Sequence, residues 1–470
     1  MIRTTNLALL AVLTFPLLTR ADVRLPAIFG DHMVLQRDAK VPIWGKADAG
    51  ERVTVTVAGQ EHAATADDTG KWRVTLQPIA STDPVEITVT AKNALTYKDV
   101  LFGEVWVCSG QSNMGFALKN ATGGADAVKT ADRPTMRLFT VGRKVAPDAP
   151  QDDLSEGKWE VCTPEIVGDF SAVAYFFGRE LQDKLNVPMG LIEPSWGGTR
   201  AEAWIPRPTF DALKLPYEPA WTEQWLNPPN KPGAATQPSR PHEAPAALFN
   251  GMIHPIAGFA IRGVVWYQGE TNTAYGEHYD KVLSALITSW RDAWGQGNIP
   301  FLVVQLPNIK HSRFWPVTRE AQARVARQLP LVGLAVTIDG TSNDLHPPDK
   351  LPVAKRLVVI AQKLAYNMDV PYSGPVFKSM EVAGGKAVLH FDHLNGGLVA
   401  KGDTLEGFEI AGADGKFVPA RATIAGETVV VSADGVATPK SVRYAWANDP
   451  KATLYNKADL PAAPFEAKRD

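Results

Sequence analysis

The stretch EVWVCSGQSNMGF, Glu104 to Phe116, joins an apolar run (Val105 to Cys108) directly to a string of small polar residues, Ser109 to Asn113. An unbroken apolar run bounded by turn residues reads as a strand buried on both faces, the kind that parallel sheets covered by helices contain. The sudden change to Ser-Gly-Gln-Ser-Asn then marks the turn leaving that strand's carboxyl end. In open α/β sheets, ligands bind beyond those ends. The turn at 109–113 is therefore the first place to look for chemistry.

Working outward, the same habit recurs at 191–194, 263–267, 301–306 and 331–338, with helix-period segments between: AVAYFFGRELQDKL, YDKVLSALITSWRDAW and TREAQARVARQL. In the second, Val282, Leu283, Leu286, Ile287, Trp290 and Trp294 fall on one helical face. The pattern predicts an α/β domain over 102–371 with a parallel sheet covered on both sides. On either side the period changes to two. ERVTVTVAGQ, WRVTLQP and VEITVTA before it, and AVLHFDH, FEIAG, ETVVVSADG and SVRYAWA after it, predict antiparallel β-sandwich-type modules over 22–101 and 372–470. A proline-laden insertion, 214–245, carries Trp221 and Trp225 and reads either as a binding loop or as a surface excursion.

The chain of 470 residues, 45% of them hydrophobic, is longer than one core usually fills, so two or three domains are expected. A formal net charge of -2 with scattered Lys and Arg argues against a nucleic-acid partner. The first 21 residues have a charged start at Arg3, an apolar stretch from Leu7 to Leu18 and a small-residue end at Ala21, the pattern of an export signal, placing the mature protein in the periplasm or outside the cell. No other apolar run approaches membrane-spanning length. The two cysteines, Cys108 and Cys162, are equally compatible with a disulfide and with buried thiols. Nine dispersed histidines with no Cys/His cluster support no metal site, and no cofactor motif appears.

The carboxyl ends of the strands present Gly110-Gln111-Ser112-Asn113, Ser195-Trp196-Gly197-Gly198-Thr199, Gln268-Gly269-Glu270-Thr271-Asn272 and, after Asp339, Asn343-Asp344-Leu345-His346-Pro347. Acyl transfer by serine needs these residue types: a hydroxyl, a base, an orienting carboxylate and donors aimed at the oxyanion. The Gly-x-Ser-x-Gly elbow of α/β-hydrolases is absent, since position 114 is Met.

These blocks, in this order, resemble the sialate O-acetylesterase family within the SGNH hydrolase superfamily, as does connecting text such as LFNGMIHPIAGFAIRGVVWYQGETN. The resemblance covers about 102–370. It implies a flavodoxin-like three-layer catalytic domain and metal-independent removal of acetyl groups from sugar hydroxyls. Carried over by position, Ser112 is the nucleophile and His346 the general base. The Ser112 N–H, Gly197 in preference to Gly198, and a side-chain amide form the oxyanion hole; Asn272 and Gln268 compete for that last place. The usual acid stands three residues before the histidine, where this chain has Asn343, so Asp344 is ranked narrowly ahead of Glu270 as the orienting carboxylate. Gln111, Asn113, Trp196, Arg200 and Glu202 are candidates for substrate contact, although Gln111 and Asn113 also suit a bracing role; Trp204 and Tyr267 are further candidates for stacking on a sugar. The expected partner is an O-acetylated sugar, sialic acid foremost, with acetylated xylan as an alternative and a non-catalytic carbohydrate-binding protein as a reading of another class.

Overall fold

The computed structural model describes residues 22–217, 240–310, 315–340 and 344–469. The export-signal reading, the insertion's Trp221 and Trp225, and Asn343 lie outside the described residues.

The central sheet runs in the order Val332–Ala335, Phe301–Val304, Gly263–Tyr267, Ala94–Gly110, Met189–Glu193, Arg133–Thr140, Trp159–Cys162. Every pairing along it is parallel except the last. The five expected parallel strands are present; Arg133–Thr140 adds one that the pattern did not suggest. Its sequence, RPTMRLFT, buries only Met136 to Phe139, and Pro134 and the two arginines hide the run. From the Ala94–Gly110 strand the chain builds first toward one edge and later toward the other, so this strand borders the topological switch point.

Alternate residues of these strands feed two cores. Val105, Val107, Ile192, Val264, Trp266, Phe301 and Val303 share one with the Tyr279–Trp294 helix, through Val282, Leu283, Leu286, Ile287, Trp290 and Trp294. Trp106, Cys108, Leu191, Val265, Tyr267, Leu302 and Val304 share the other with the Ala172–Leu185 and Leu351–Leu364 helices. Period-two pleating, with both faces apolar, is why these strands read as solid hydrophobic runs. The result is an α/β sheet with helices against both faces.

The Ala94–Gly110 strand is 17 residues long. Its first part pairs antiparallel with Val85–Thr90 in the N-terminal zone, and its second part is the middle of the central sheet. The change of pattern at Phe102 thus falls within one continuous strand, where alternating burial becomes unbroken burial from Val100 onward. After Tyr372 the chain forms two four-stranded antiparallel sheets, and their core includes Val336 and Ile338 from the end of the central sheet. Arg319 clamps this junction by donating to the carbonyls of Leu306, at 2.9 Å, and of Ala447, at 2.7 Å. Among the described residues no helix is long and apolar enough to cross a membrane.

Cys108 and Cys162 are both buried and unbridged. Burial pushes the Cys108 thiol far up and that of Cys162 up to about 12, so neither is a thiolate near neutral pH. Native protein should therefore resist a thiol-specific chromogenic reagent over minutes, while guanidinium chloride should release both thiols to it. A denatured protein with no titratable thiol would contradict this.

Candidate active site

Ser112 stands where it does because the strand before it ends in Gly110. That residue has φ +145°, and a Cβ there would lie 2.0 Å from the Tyr267 carbonyl oxygen, so no side chain fits. The turn is then pinned by Gln111 N–H to Tyr267 O at 3.0 Å and by Met114 N–H to Gln111 O at 2.9 Å. Trp196 N–H donates to Gly110 O at 3.1 Å and draws in the glycine block. A Cβ built on Gly197 would sit 3.2 Å from Ser112 Cβ, so the Gly197 backbone faces the serine. Gly198, with φ +73°, lies instead against Arg240, and a Cβ there would approach Arg240 Nη2 to 2.9 Å.

The last block completes the arrangement. His346 Nε2 is 2.8 Å from Ser112 Oγ, hydrogen-bond distance for transfer of the hydroxyl proton. Asp344 Oδ1 accepts from the His346 backbone N–H at 3.0 Å, which curls the segment. Burial, followed by the positive charge of Lys350, lowers the imidazole's proton affinity below its ordinary value, while Asp344 opposes them. The Asp344 charge thus favours the protonated ring.

Counting donors separates the two amides. Gln268 spends both Nε2 hydrogens, on Thr199 O at 3.1 Å and Asn272 Oδ1 at 2.7 Å, and its Oε1 accepts from Tyr279 Oη at 2.7 Å. Asn272 Oδ1 also accepts from Ala201 N–H at 3.0 Å, so its Nδ2 must face Glu202, to which it donates at 2.8 Å. Among the described residues one Nδ2 hydrogen is left over. Gln268 is therefore a brace that sets the flip of Asn272, and Asn272 keeps a donor that Gln268 lacks.

Three residues expected at the substrate are instead interior. Glu202 is fully buried between Asn272 and Tyr217 Oη, which donates at 2.7 Å. Gln111 is buried and its Oε1 accepts from Thr271 N and Oγ1, each at 3.3 Å. Asn113 is fully buried, with Nδ2 donating to Glu270 Oε1 at 2.5 Å and to Leu345 O at 3.0 Å. These short polar side chains satisfy backbone and side-chain groups that water does not reach. Glu270 is likewise buried, and its proton affinity is raised mainly by burial. Trp204 and Tyr267 belong to the cores. Trp196 is only partly buried; His242 stacks on it at 5.0 Å and the Arg143 guanidinium lies 5.5 Å from its ring. Arg200 lies over the Tyr275 ring at 5.3 Å.

Lys350, Glu193, Arg143 and His242 escaped the sequence-derived set. Glu193, pushed up to about 7 by burial, had one legible signal: a carboxylate closing an otherwise apolar strand. Among the described residues no group of three or more His, Cys, Asp or Glu stands at metal-holding geometry.

A serine hydroxyl on an imidazole, beside a glycine backbone and an amide donor at the carboxyl edge of a parallel sheet, defines the class as an ester hydrolase. Residues 102–352 match the family model described as carbohydrate esterase, sialic acid-specific acetylesterase. The chain is 31% identical to the human sialate O-acetylesterase over 97% of its own length and 95% of that protein's, and 30% identical to the mouse one over 95% and 94%. It superposes on the crystal structure of a carbohydrate acetylesterase from Xanthomonas citri with a TM-score of 0.86 and 36% identity, covering 95% of this chain and all of that one. The chain belongs to the sialic acid-specific acetylesterase family and is a carboxylic ester hydrolase.

Replacing Asn272 by Ala removes one of the two hydrogen-bond donors that the described residues offer the interior Glu202 side chain and should destabilise the protein by about 2–3 kcal/mol, the usual penalty for a buried acceptor losing its donor. Urea unfolding measures it; an unchanged midpoint would contradict the assignment.

Proposed function

We propose that this protein is an exported serine esterase that removes O-acetyl groups from carbohydrate, most readily from O-acetylated sialic acid, through an acetyl-Ser112 intermediate. The observation that carries the proposal is the 2.8 Å contact between Ser112 Oγ and His346 Nε2. Family membership supports the choice of an acetyl ester on a sugar.

In the first half-reaction His346 Nε2 takes the Ser112 proton as Oγ attacks the acetyl carbonyl. The Ser112 and Gly197 N–H groups and the second hydrogen of Asn272 Nδ2 stabilise the oxyanion. The sugar oxygen leaves with the proton that His346 returns, and water repeats the sequence on the acetyl-enzyme. Asp344 stabilises the imidazolium as it forms, while Glu270 acts on the site's architecture through Asn113. Trp196, with His242 and Arg143 around it, supplies a rim on which a sugar ring packs beside a cationic group, a pairing that suits an acidic sugar. The antiparallel zones before and after the catalytic sheet are sandwich-type modules that frame it, and residues 1–21 direct export.

Acetate release from O-acetylated sialic acid and from acetylated xylan, measured in parallel with Ser112→Ala, tests the reading. Release should be fastest from the sialic acid ester, and the alanine variant should lose several powers of ten in rate, about 10⁴-fold or more. Equal rates in the variant would overturn the serine mechanism, and release from xylan alone would overturn the sugar.

Two further outcomes follow from the base. His346 acts when neutral, and its proton affinity lies below the ordinary imidazole value, so kcat/KM should hold as pH falls through 6.5 and decline only at lower pH. Asp344→Asn should lower kcat by about 10²-fold or more by withdrawing the charge that stabilises the imidazolium. A pH profile with its acid limb above 6.5, or a fully active Asp344→Asn, would contradict the respective assignment.

A further inference from the structure

Lys350 is a local anomaly. It is fully buried and occupies the N-cap of the Leu351–Leu364 helix, where the helix dipole disfavours a cation. Burial lowers its proton affinity to about 8, against the pull of Glu270 and Asp344. A sequence rarely places a lysine at such a position without compensation. Here the compensation is on three sides. Lys350 Nζ donates to Asn113 Oδ1 at 2.5 Å, and it lies 5.1 Å from the Phe116 ring and 5.2 Å from the Tyr267 ring.

The donor chemistry of the chain has one solution. An ammonium group has hydrogens and no acceptor, so it fixes Asn113 with Oδ1 toward Lys350 and the NH₂ group away from it. Both hydrogens of that NH₂ group are then used, one on Glu270 Oε1 and one on Leu345 O, the carbonyl preceding His346. Reversing the amide would set two donors against each other at Lys350 and two acceptors against each other at Glu270. A charge on the helix cap is thereby converted into the position of the segment that carries the base.

We propose that Lys350 is a positioning residue of the esterase reaction, locking the Asn113 amide in the one orientation that ties Glu270 and the His346 segment to the Ser112 turn. The inference rests on the proposed serine mechanism. It adds a second effect: the Asn113 bridge between Lys350 Nζ and the carbonyl before His346 holds the ammonium charge near the imidazole, where it disfavours imidazolium. Among the described residues the charged groups around the lysine are Glu270 across Asn113, Asp344 on the histidine segment, and Asp349, Asp339 and Arg356, which with Lys350, Asn308 and Thr337 line a cavity of about 400 Å³. Asp339 and Arg356 are paired at 2.5 Å and largely cancel.

The test compares Lys350→Met, which keeps the stem and removes charge and donor, with Lys350→Arg, which keeps both. Ser112→Ala runs alongside, and thermal unfolding confirms that each variant is folded. Lys350→Met should lose about 10- to 100-fold in kcat with KM changed less than about twofold, since alignment and not ground-state binding is damaged. Its acid limb in the pH profile of kcat/KM should move to higher pH, because a positive charge near the imidazole is gone. Lys350→Arg should return the acid limb to its wild-type place and recover most of kcat. A folded Lys350→Met with wild-type kcat and acid limb overturns the proposal, as does a kcat loss with an unmoved limb that arginine does not restore, the signature of a merely structural lysine. If Lys350→Met does not fold, the arginine variant decides alone: a wild-type acid limb supports the proposal and an upward shift overturns it. Activity surviving in Ser112→Ala identifies failure of the serine mechanism instead.

Discussion

Asn113 is shut off from bulk solvent, and that constraint organises the site. Its side-chain amide is fully buried, so each donor and acceptor must find a protein partner, and the three it finds come from three separate elements: Glu270 after one strand, Leu345 in the histidine segment and Lys350 at a helix start. The proposed nucleophile, Ser112, is the residue before it. Ser112 and His346 are far apart in sequence, and a hydrogen bond of 2.8 Å between them requires the segment carrying the histidine to be anchored to the turn carrying the serine. A buried amide with all of its donors and acceptors engaged does that with more directional precision than apolar packing.

The rest of the molecule extends this anchoring. The strand that leads to Ser112 begins in the N-terminal zone, so the first antiparallel layer and the central sheet share one backbone. At the other end, Asp339 follows the last parallel strand and pairs with Arg356 on the helix that Lys350 caps, while Tyr455 Oη from the C-terminal zone donates to Asp339 at 2.8 Å. Arg319 adds its clamp between the carbonyls of Leu306 and Ala447. The flanking zones are therefore bonded to the two segments that carry the serine and the histidine.

Much of this was legible in the sequence, for physical reasons that differ by level. Strands buried on both faces reveal themselves as apolar runs, and the Tyr279–Trp294 helix reveals itself through one apolar face; those readings agree with the structure because burial dictates composition directly. Arg133–Thr140 was hidden because its first residues are exposed and only Met136 to Phe139 are buried. At the site, residue types at the strand ends were readable, but their orientation was not. Glu202, Gln111 and Asn113 look like substrate-facing polar residues in sequence and are interior braces in space, since a short polar side chain serves either purpose. Gln268 and Asn272 could be told apart only by counting which hydrogens were already committed. Lys350 was missed because a lysine four residues after the histidine looks like ordinary solvated surface until its burial is seen.

The central claim is that the acetyl group passes through Ser112. Rapid quenching of the enzyme with an acetyl ester, followed by proteolysis and mass spectrometry of the peptide containing Ser112, tests it most directly. The account predicts a transient acetyl group on Ser112 that builds up before steady state and decays as substrate is exhausted. Acetyl label on another residue, or turnover with Ser112 never modified at any quench time, would contradict it.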